Sequence, residues 1–228
     1  MKIEAVTVCI DFADKLKKIV VNNHKLDNWV IATHESDKET IRVCENNDIN
    51  YVLSERVFDN AQFAKGRAIN DALKVLDKND WLLHIDADQL LPFNFREICE
   101  NECKDKSKMY KCDRVTTRGK TMEYGHRSSA RIEMSSNRKM KFRPSRNKIP
   151  IGFFQLWHSS VRCVYDEEST TGDKDDISFS AKWFDVKKGT LIQNFQKLSF
   201  KTIDVSGFQG HYEGHYVGLR NLKGSKFQ

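Results

Sequence analysis

The stretch WLLHIDADQLLP, residues 81–92, decides how this chain is read. An apolar run ends in two carboxylates, Asp86 and Asp88, separated only by the small residue Ala87. Acids this close repel each other, and a buried carboxylate is costly unless a hydrogen bond, a counter-charge or a cation answers it. In extended chain residues i and i+2 point to the same side, so Asp86 and Asp88 are expected to converge just beyond a strand end. Hard oxygen ligands, few in number and completed by the phosphates of a substrate, suit Mg2+ or Mn2+.

Working outward, β-branched apolar runs at residues 5–10, 29–33 and 51–53 precede the run at 81–85, and all four read as buried strands. Helix-compatible segments lie between them. The clearest carries Ala64, Ala68, Ile69, Ala72, Leu73 and Leu76 at three- and four-residue steps, which makes one apolar face, and DKND (77–80) turns the chain into the next strand. Repeated strand and helix predict an α/β fold with a mostly parallel sheet flanked by helices, which binds ligands at the carboxyl ends of its strands. From Phe95 onward the pattern is broken: apolar runs IGFFQLW (151–157) and TLIQNF (190–195) and a helix over 175–184 suggest an α-rich crossover mixed with short strands.

The bulk properties fit one compact unit. The 228 residues are 39% hydrophobic, enough for a core, and no run reaches the length of a membrane span. The opening MKIEAVTVCIDFADKLKK lacks the layout of a signal peptide, so a soluble cytoplasmic protein is expected. Its six cysteines read as reduced thiols, because Cys9 lies inside an apolar run and Cys99, Cys103 and Cys112 form no tight zinc pair. The net charge of +6 favours anionic partners, but the basic stretch NRKMKFRPSRNK (137–148) interleaves only Phe142, which argues against a nucleic-acid reader.

HIDAD after a buried strand, preceded by FAKGRAINDAL (63–73), resembles the nucleotide-sugar-binding half of GT-A glycosyltransferases, especially the family 2-like inverting enzymes. The resemblance runs over residues 3–95 and more loosely to the end of the chain. It implies one GT-A domain over 1–228, with a donor half at 1–92 and an acceptor half at 93–228, and it leaves room for further domains of a longer polypeptide. It also implies a UDP-, GDP- or TDP-sugar donor, a glycan or other hydroxyl acceptor, and Mn2+ or Mg2+ bridging the diphosphate.

Carried over by position, Asp86, Ala87 and Asp88 would be the D-x-D segment, with Asp86 and Asp88 on the metal. Lys65 and Arg67 would lie near the nucleotide, where basic groups pair with phosphates. Cys9, Asp11, Thr33, Glu35 and Asp37 occupy the strand ends that hold base and ribose in the family, although the usual acidic pair after the second strand is replaced by HESD (34–37). The segment TTGDKDDISFSAKWF (170–184) resembles the one in which an acidic pair opens a helix. Asp176 is the first choice for the catalytic base and Asp175 the second, while the helix dipole alone would also favour acids there. Gln155, Trp157 and His158 fall on the strand expected near the acceptor. In the terminal segment GFQGHYEGHYVGLRN (207–221), Phe208 stands where the family often has a histidine ligand, which leaves His211 as third metal ligand and His215 as its alternative.

Two rival readings share this sheet. A sugar-1-phosphate nucleotidyltransferase would need a glycine- and arginine-rich phosphate loop after the first strand, where this chain has CIDFADKLKK and no glycine before Gly66. A catalytically silent binding module would gain if Asp86, Asp88 and Asp176 did not converge.

Overall fold

The central strands are buried along nearly their whole length, with successive side chains on opposite faces of the sheet, and that builds two cores. The computed structural model describes residues 1–91, 93–112, 115–118, 121–124, 131–134, 140–143, 154–170, 175–181 and 195–198. The first part runs β1 (Ile3–Val8), α1 (Ala13–Ile19), β2 (Asn28–Thr33), α2 (Lys38–Glu45), β3 (Asn50–Leu53), α3 (Lys65–Lys74) and β4 (Trp81–Ile85). Ile3, Ala5, Trp29, Ile31, Trp81, Leu83 and Ile85 fill the core on one face of the sheet. Their neighbours Val6, Val30, Ala32 and Leu82 pack on the other face with Ala68, Ile69, Ala72 and Leu73 of α3. A parallel sheet buried on both faces needs apolar residues at consecutive positions, which is why these strands read as runs rather than as alternating patterns.

The remaining elements are α4 (Phe95–Glu102), β5 (Met109–Cys112), β6 (Val115–Arg118), β7 (Thr121–Tyr124), β8 (Arg131–Met134), β9 (Met140–Arg143), β10 (Phe154–His158), α5 (Asp175–Ala181) and β11 (Phe195–Leu198). One seven-stranded sheet has the order β11-β5-β10-β4-β1-β2-β3, while β6-β7 and β8-β9 are separate antiparallel pairs. β1 pairs in parallel with β2 and β4, and β2 with β3. β10 runs antiparallel to both β4 and β5. The chain winds from β1 outward through β2 and β3, then returns to the other side of β1 at β4. The crevice beyond the carboxyl ends of β1 and β4 is thus the switch point at which such sheets bind ligands.

The four expected strands and the third helix are all present. The second half departs from the expected α-rich crossover: it adds β5, β10 and β11 to the sheet and contributes two hairpins. The strands it adds to the sheet are short and pair with partners far away in sequence, so no local period announces them. α4 was not foreseen either, since it buries only Phe95 and Cys99 on an otherwise polar helix. Among the described residues no helix is long and apolar enough to cross a membrane.

Candidate functional site

α3 begins against a local rule. Lys65 is its first residue, Ala64 before it offers no capping side chain, and its first turn contains no acid. A cation there opposes the helix dipole. The missing negative charge comes from elsewhere in the fold. Asp175, in the first turn of α5, accepts the Gly66 N–H at 2.8 Å. Lys65 Nζ lies 2.9 Å from Asp86 Oδ1, beyond the end of β4, and 3.4 Å from Asp176 Oδ2. Three acids from two elements, Asp86, Asp175 and Asp176, thereby surround one buried ammonium.

Gly66 is required for this approach. A Cβ built on it would meet the carbonyl oxygen of Asp166 at 2.3 Å, so only glycine lets α3 close on the 165–167 segment. Asn70, one turn on, holds that segment from both directions: its amide nitrogen donates to the Tyr165 carbonyl at 3.1 Å, and its oxygen accepts the Tyr165 N–H at 2.9 Å. Arg67 donates to the carbonyls of Glu167 at 2.9 Å and Asp59 at 2.6 Å, which ties its guanidinium to loop backbone.

β4 supplies a third component. The β4–β10 register sets Gln155 directly opposite His84, which puts both side chains on one face of the sheet. Gln155 Nε2 donates to the Asp176 carbonyl at 2.9 Å and to Ser180 Oγ at 2.7 Å. A carbonyl can only accept, so this pairing fixes the orientation of the amide. Gln155 Oε1 then accepts the Tyr165 hydroxyl and lies 3.1 Å from His84 Nδ1. Because the tyrosine's one proton goes to Gln155, donor accounting assigns the imidazole proton to Nδ1. His84 Nε2 is left buried without a hydrogen-bond partner among the described residues, 3.9 Å from Asp86 Oδ1.

The charge states follow from these surroundings. Burial opposes the charge on Lys65, but Asp176 and Asp86 outweigh it and hold the ammonium above its ordinary value. Burial, followed by the Lys65 charge, pushes His84 down to about 3, so the ring is neutral. Burial pushes the Asp175 carboxyl up and the Tyr165 phenol well up.

Asp86 reaches Lys65, but Asp86 and Asp88 do not lie on the expected single extended face. β4 stops at Ile85, and residues 87–88 form a turn in which the Gln89 N–H donates to the Asp86 carbonyl at 3.2 Å. Both aspartates are nearly buried, and Asp88 Oδ1 accepts from Gln89 Nε2 at 2.7 Å. The loop that follows is held by Asn22, whose side chain bonds the Gln89 carbonyl and the Leu91 N–H.

The expected base and ribose positions gather at the neighbouring strand ends. Asp37 caps α2 through Thr40 N–H at 3.1 Å and accepts the Asp11 N–H at 2.7 Å, where Asp11 adopts a positive φ of 60°. Cys9 is buried against Thr40, and the Thr33 hydroxyl is buried with no hydrogen-bond partner among the described residues. Glu35 is exposed.

On the expected acceptor strand only Gln155 reaches the carboxylate cluster. Trp157 is buried against Phe179 in an edge-to-face contact. His158 pairs with Trp81 at the opposite end of β4 and lies 3.3 Å from Asp80. His211 and His215 lie outside the described residues. His84, Gly66, Asn70 and Tyr165 were not singled out from the sequence. His84 had a signal in its place two residues before Asp86, and Asn70 in the A-x-N step of the FAKGRAINDAL segment.

Among the described residues no group of three or more His, Cys, Asp or Glu side chains is arranged to enclose a metal ion. The donor chemistry still fits a hard divalent cation whose shell a diphosphate would complete, since the acidic side chains gathered at this end of the sheet are carboxylates, hard oxygen donors.

No family model matches the sequence. No curated protein matches it significantly. Solved structures do. TarS of S. aureus, a GT-A glycosyltransferase, superimposes with a TM-score of 0.55 over 89% of this chain and 36% of its own, at 12% identity. The chain has a GT-A-like fold. Mannosyl-3-phosphoglycerate synthase from Rubrobacter xylanophilus matches 51% of this chain at 19% identity with a TM-score of 0.42, and the chain spans 41% of its length. The 4-diphosphocytidyl-2C-methyl-D-erythritol synthase of Anaerococcus prevotii covers 87% of this chain and 90% of its own at 14% identity, with a TM-score of 0.47. In this GT-A-like sheet the cluster of Lys65, Asp86, Asp175 and Asp176 stands at the switch point.

Proposed function

We propose that this chain is a metal-dependent glycosyltransferase that moves a sugar from a UDP-, GDP- or TDP-sugar to a glycan or other hydroxyl acceptor, with inversion by direct displacement. The observation that carries the reading is the convergence of Asp86, Asp175 and Asp176 on Lys65 at the switch point of a GT-A-like sheet. In this reading residues 1–92 are the donor half and 93–228 the acceptor half of one domain. Cys9, Cys44, Cys99, Cys103 and Cys163 are free thiols, as the expected reducing surroundings require.

Each residue has a separate task. Asp86 and Asp88 would hold Mn2+ or Mg2+, which when bound neutralises the charge of the departing diphosphate. Asp176 accepts the proton of the attacking acceptor hydroxyl. Asp175 is the weaker candidate for that role because it is fully buried and already committed to the Gly66 N–H. Gln155 positions Asp176 by holding its carbonyl, and therefore acts from behind the site rather than on the acceptor.

The test is Asp176→Asn. Release of nucleoside diphosphate from the matching donor sugar should fall by about 10²- to 10⁴-fold, the usual worth of a general base, while nucleotide affinity stays within about threefold of wild type. Unchanged turnover would remove Asp176 as base.

A further inference from the structure

Lys65 stands where the proposed metal chemistry needs its cation. Its ammonium is 2.9 Å from Asp86, the first acid of the D-x-D segment, and 3.4 Å from Asp176, and its side chain is only 12% exposed. Nothing in α3 itself accounts for the placement, since a first-turn lysine faces the positive end of the helix dipole and this turn has no acid to offset it. The partners that hold it are the acids the reaction uses. A divalent ion approaching Asp86 therefore meets a carboxylate already paired with a resident cation. An ammonium on a flexible four-carbon stem is well suited to change partners, and it is attracted to phosphate as strongly as to carboxylate.

We infer that Lys65 is a built-in competitor of the divalent metal, occupying Asp86 in the donor-free protein and passing to the diphosphate when metal and nucleotide arrive together. This rests on the glycosyltransferase reading and deepens it. The free protein then holds metal weakly, because binding must displace Lys65 from Asp86. With a diphosphate present the displaced ammonium gains a new anionic partner, so metal and nucleotide strengthen each other's binding reciprocally. The same transfer removes an ammonium from Asp176 as the donor is seated, linking donor binding to release of the base.

The consequence has a sign that a merely structural lysine would not produce. Removing Lys65 should strengthen metal binding by the free protein while weakening nucleotide binding. Calorimetric titration of Mn2+ alone should show Lys65→Met binding about tenfold more tightly than wild type, a coupling of ordinary allosteric size. Lys65→Arg, which keeps the charge, should stay close to wild type. Lys65→Gln serves as the second neutral variant if the methionine form does not fold. Titration of UDP, GDP and TDP in the presence of Mn2+ should show at least tenfold weaker nucleotide binding in the neutral variants. The inference is overturned if the neutral variants bind Mn2+ no more tightly than wild type while wild type still binds a nucleotide in a Mn2+-dependent way. If wild type binds no nucleotide with or without Mn2+, the glycosyltransferase reading itself fails and takes the inference with it.

Discussion

The two ends of the β4–β10 ladder carry the same residue types and use them differently. At the amino end of β4, His158 lies 3.3 Å from Asp80, whose carboxylate also accepts the Lys2 N–H, while Glu4 accepts the N–H groups of Asp77 and Lys78. Each acid there has donors close by, and His158 packs edge-to-face on Trp81. At the carboxyl end, His84 is fully buried and neutral, and the Lys65 ammonium bridges Asp86 and Asp176. One end ties its acids to backbone N–H groups and to His158. The other gathers carboxylates from two segments around the Lys65 ammonium, and it lies at the switch point of the sheet. Polar residues near a strand end are thus not informative by type alone; the partners the fold brings to them separate a closure from a candidate binding site.

The largest effect that would sharpen this contrast is the response to acid in metal-free buffer. His84 is held down to about 3 by burial and by Lys65, whereas in the unfolded chain a histidine titrates near its ordinary value of about 6.5. Its neutral form in the fold therefore contributes fully above about pH 6.5, and that contribution is lost as pH falls toward 3, because the unfolded chain takes up the proton first. The change is on the order of 4 kcal/mol over that window. Urea melts between pH 7.5 and 4.5 should show a steep loss in wild type and a flatter slope in His84→Asn. Burial also holds the His158 ring below its ordinary value, so His158→Asn should flatten the slope too, but less. Equal slopes for all three would break the distinction between the ends.

A smaller effect is expected from Gly66→Ala. The added methyl meets backbone rather than a yielding side chain, so α3 must move away from the 165–167 segment, at about 2–3 kcal/mol. Because Asp175 and Lys65 are attached to the same turn, nucleotide affinity should fall together with the melting temperature. Stability unchanged within about 0.5 kcal/mol would mean that the close approach is not needed.

Much of the donor side was legible in the sequence because its signals are local. Each of the first four strands centres on an apolar run, α3 shows its apolar face in sequence order, and the acids after β4 stand out at the end of such a run. The turn at 87–88 was missed because two acids separated by one residue are compatible with either an extended chain or a turn, and only the end of the β4 ladder decides between them. Lys65 was expected near phosphates, but its bridge between Asp86 and Asp176 joins residues 21 and 111 positions apart. Tyr165 is joined to His84 across 81 positions and belongs to no periodic segment. Gln155 was expected near the acceptor, and only the antiparallel register shows it set against His84. His158 shows the converse, since it sits three residues along the same strand and is carried to the other end of the sheet.

The most direct test of the central claim, that the carboxyl end of β4 is a metal and nucleotide-sugar site, is calorimetric titration of UDP, GDP and TDP. Each is titrated with and without Mn2+, on wild type and on Asp88→Ala. The account predicts that one nucleotide binds wild type in a Mn2+-dependent manner and that this binding is lost in Asp88→Ala. Absence of binding by every nucleotide under both conditions, or binding that Asp88→Ala leaves intact, would contradict it.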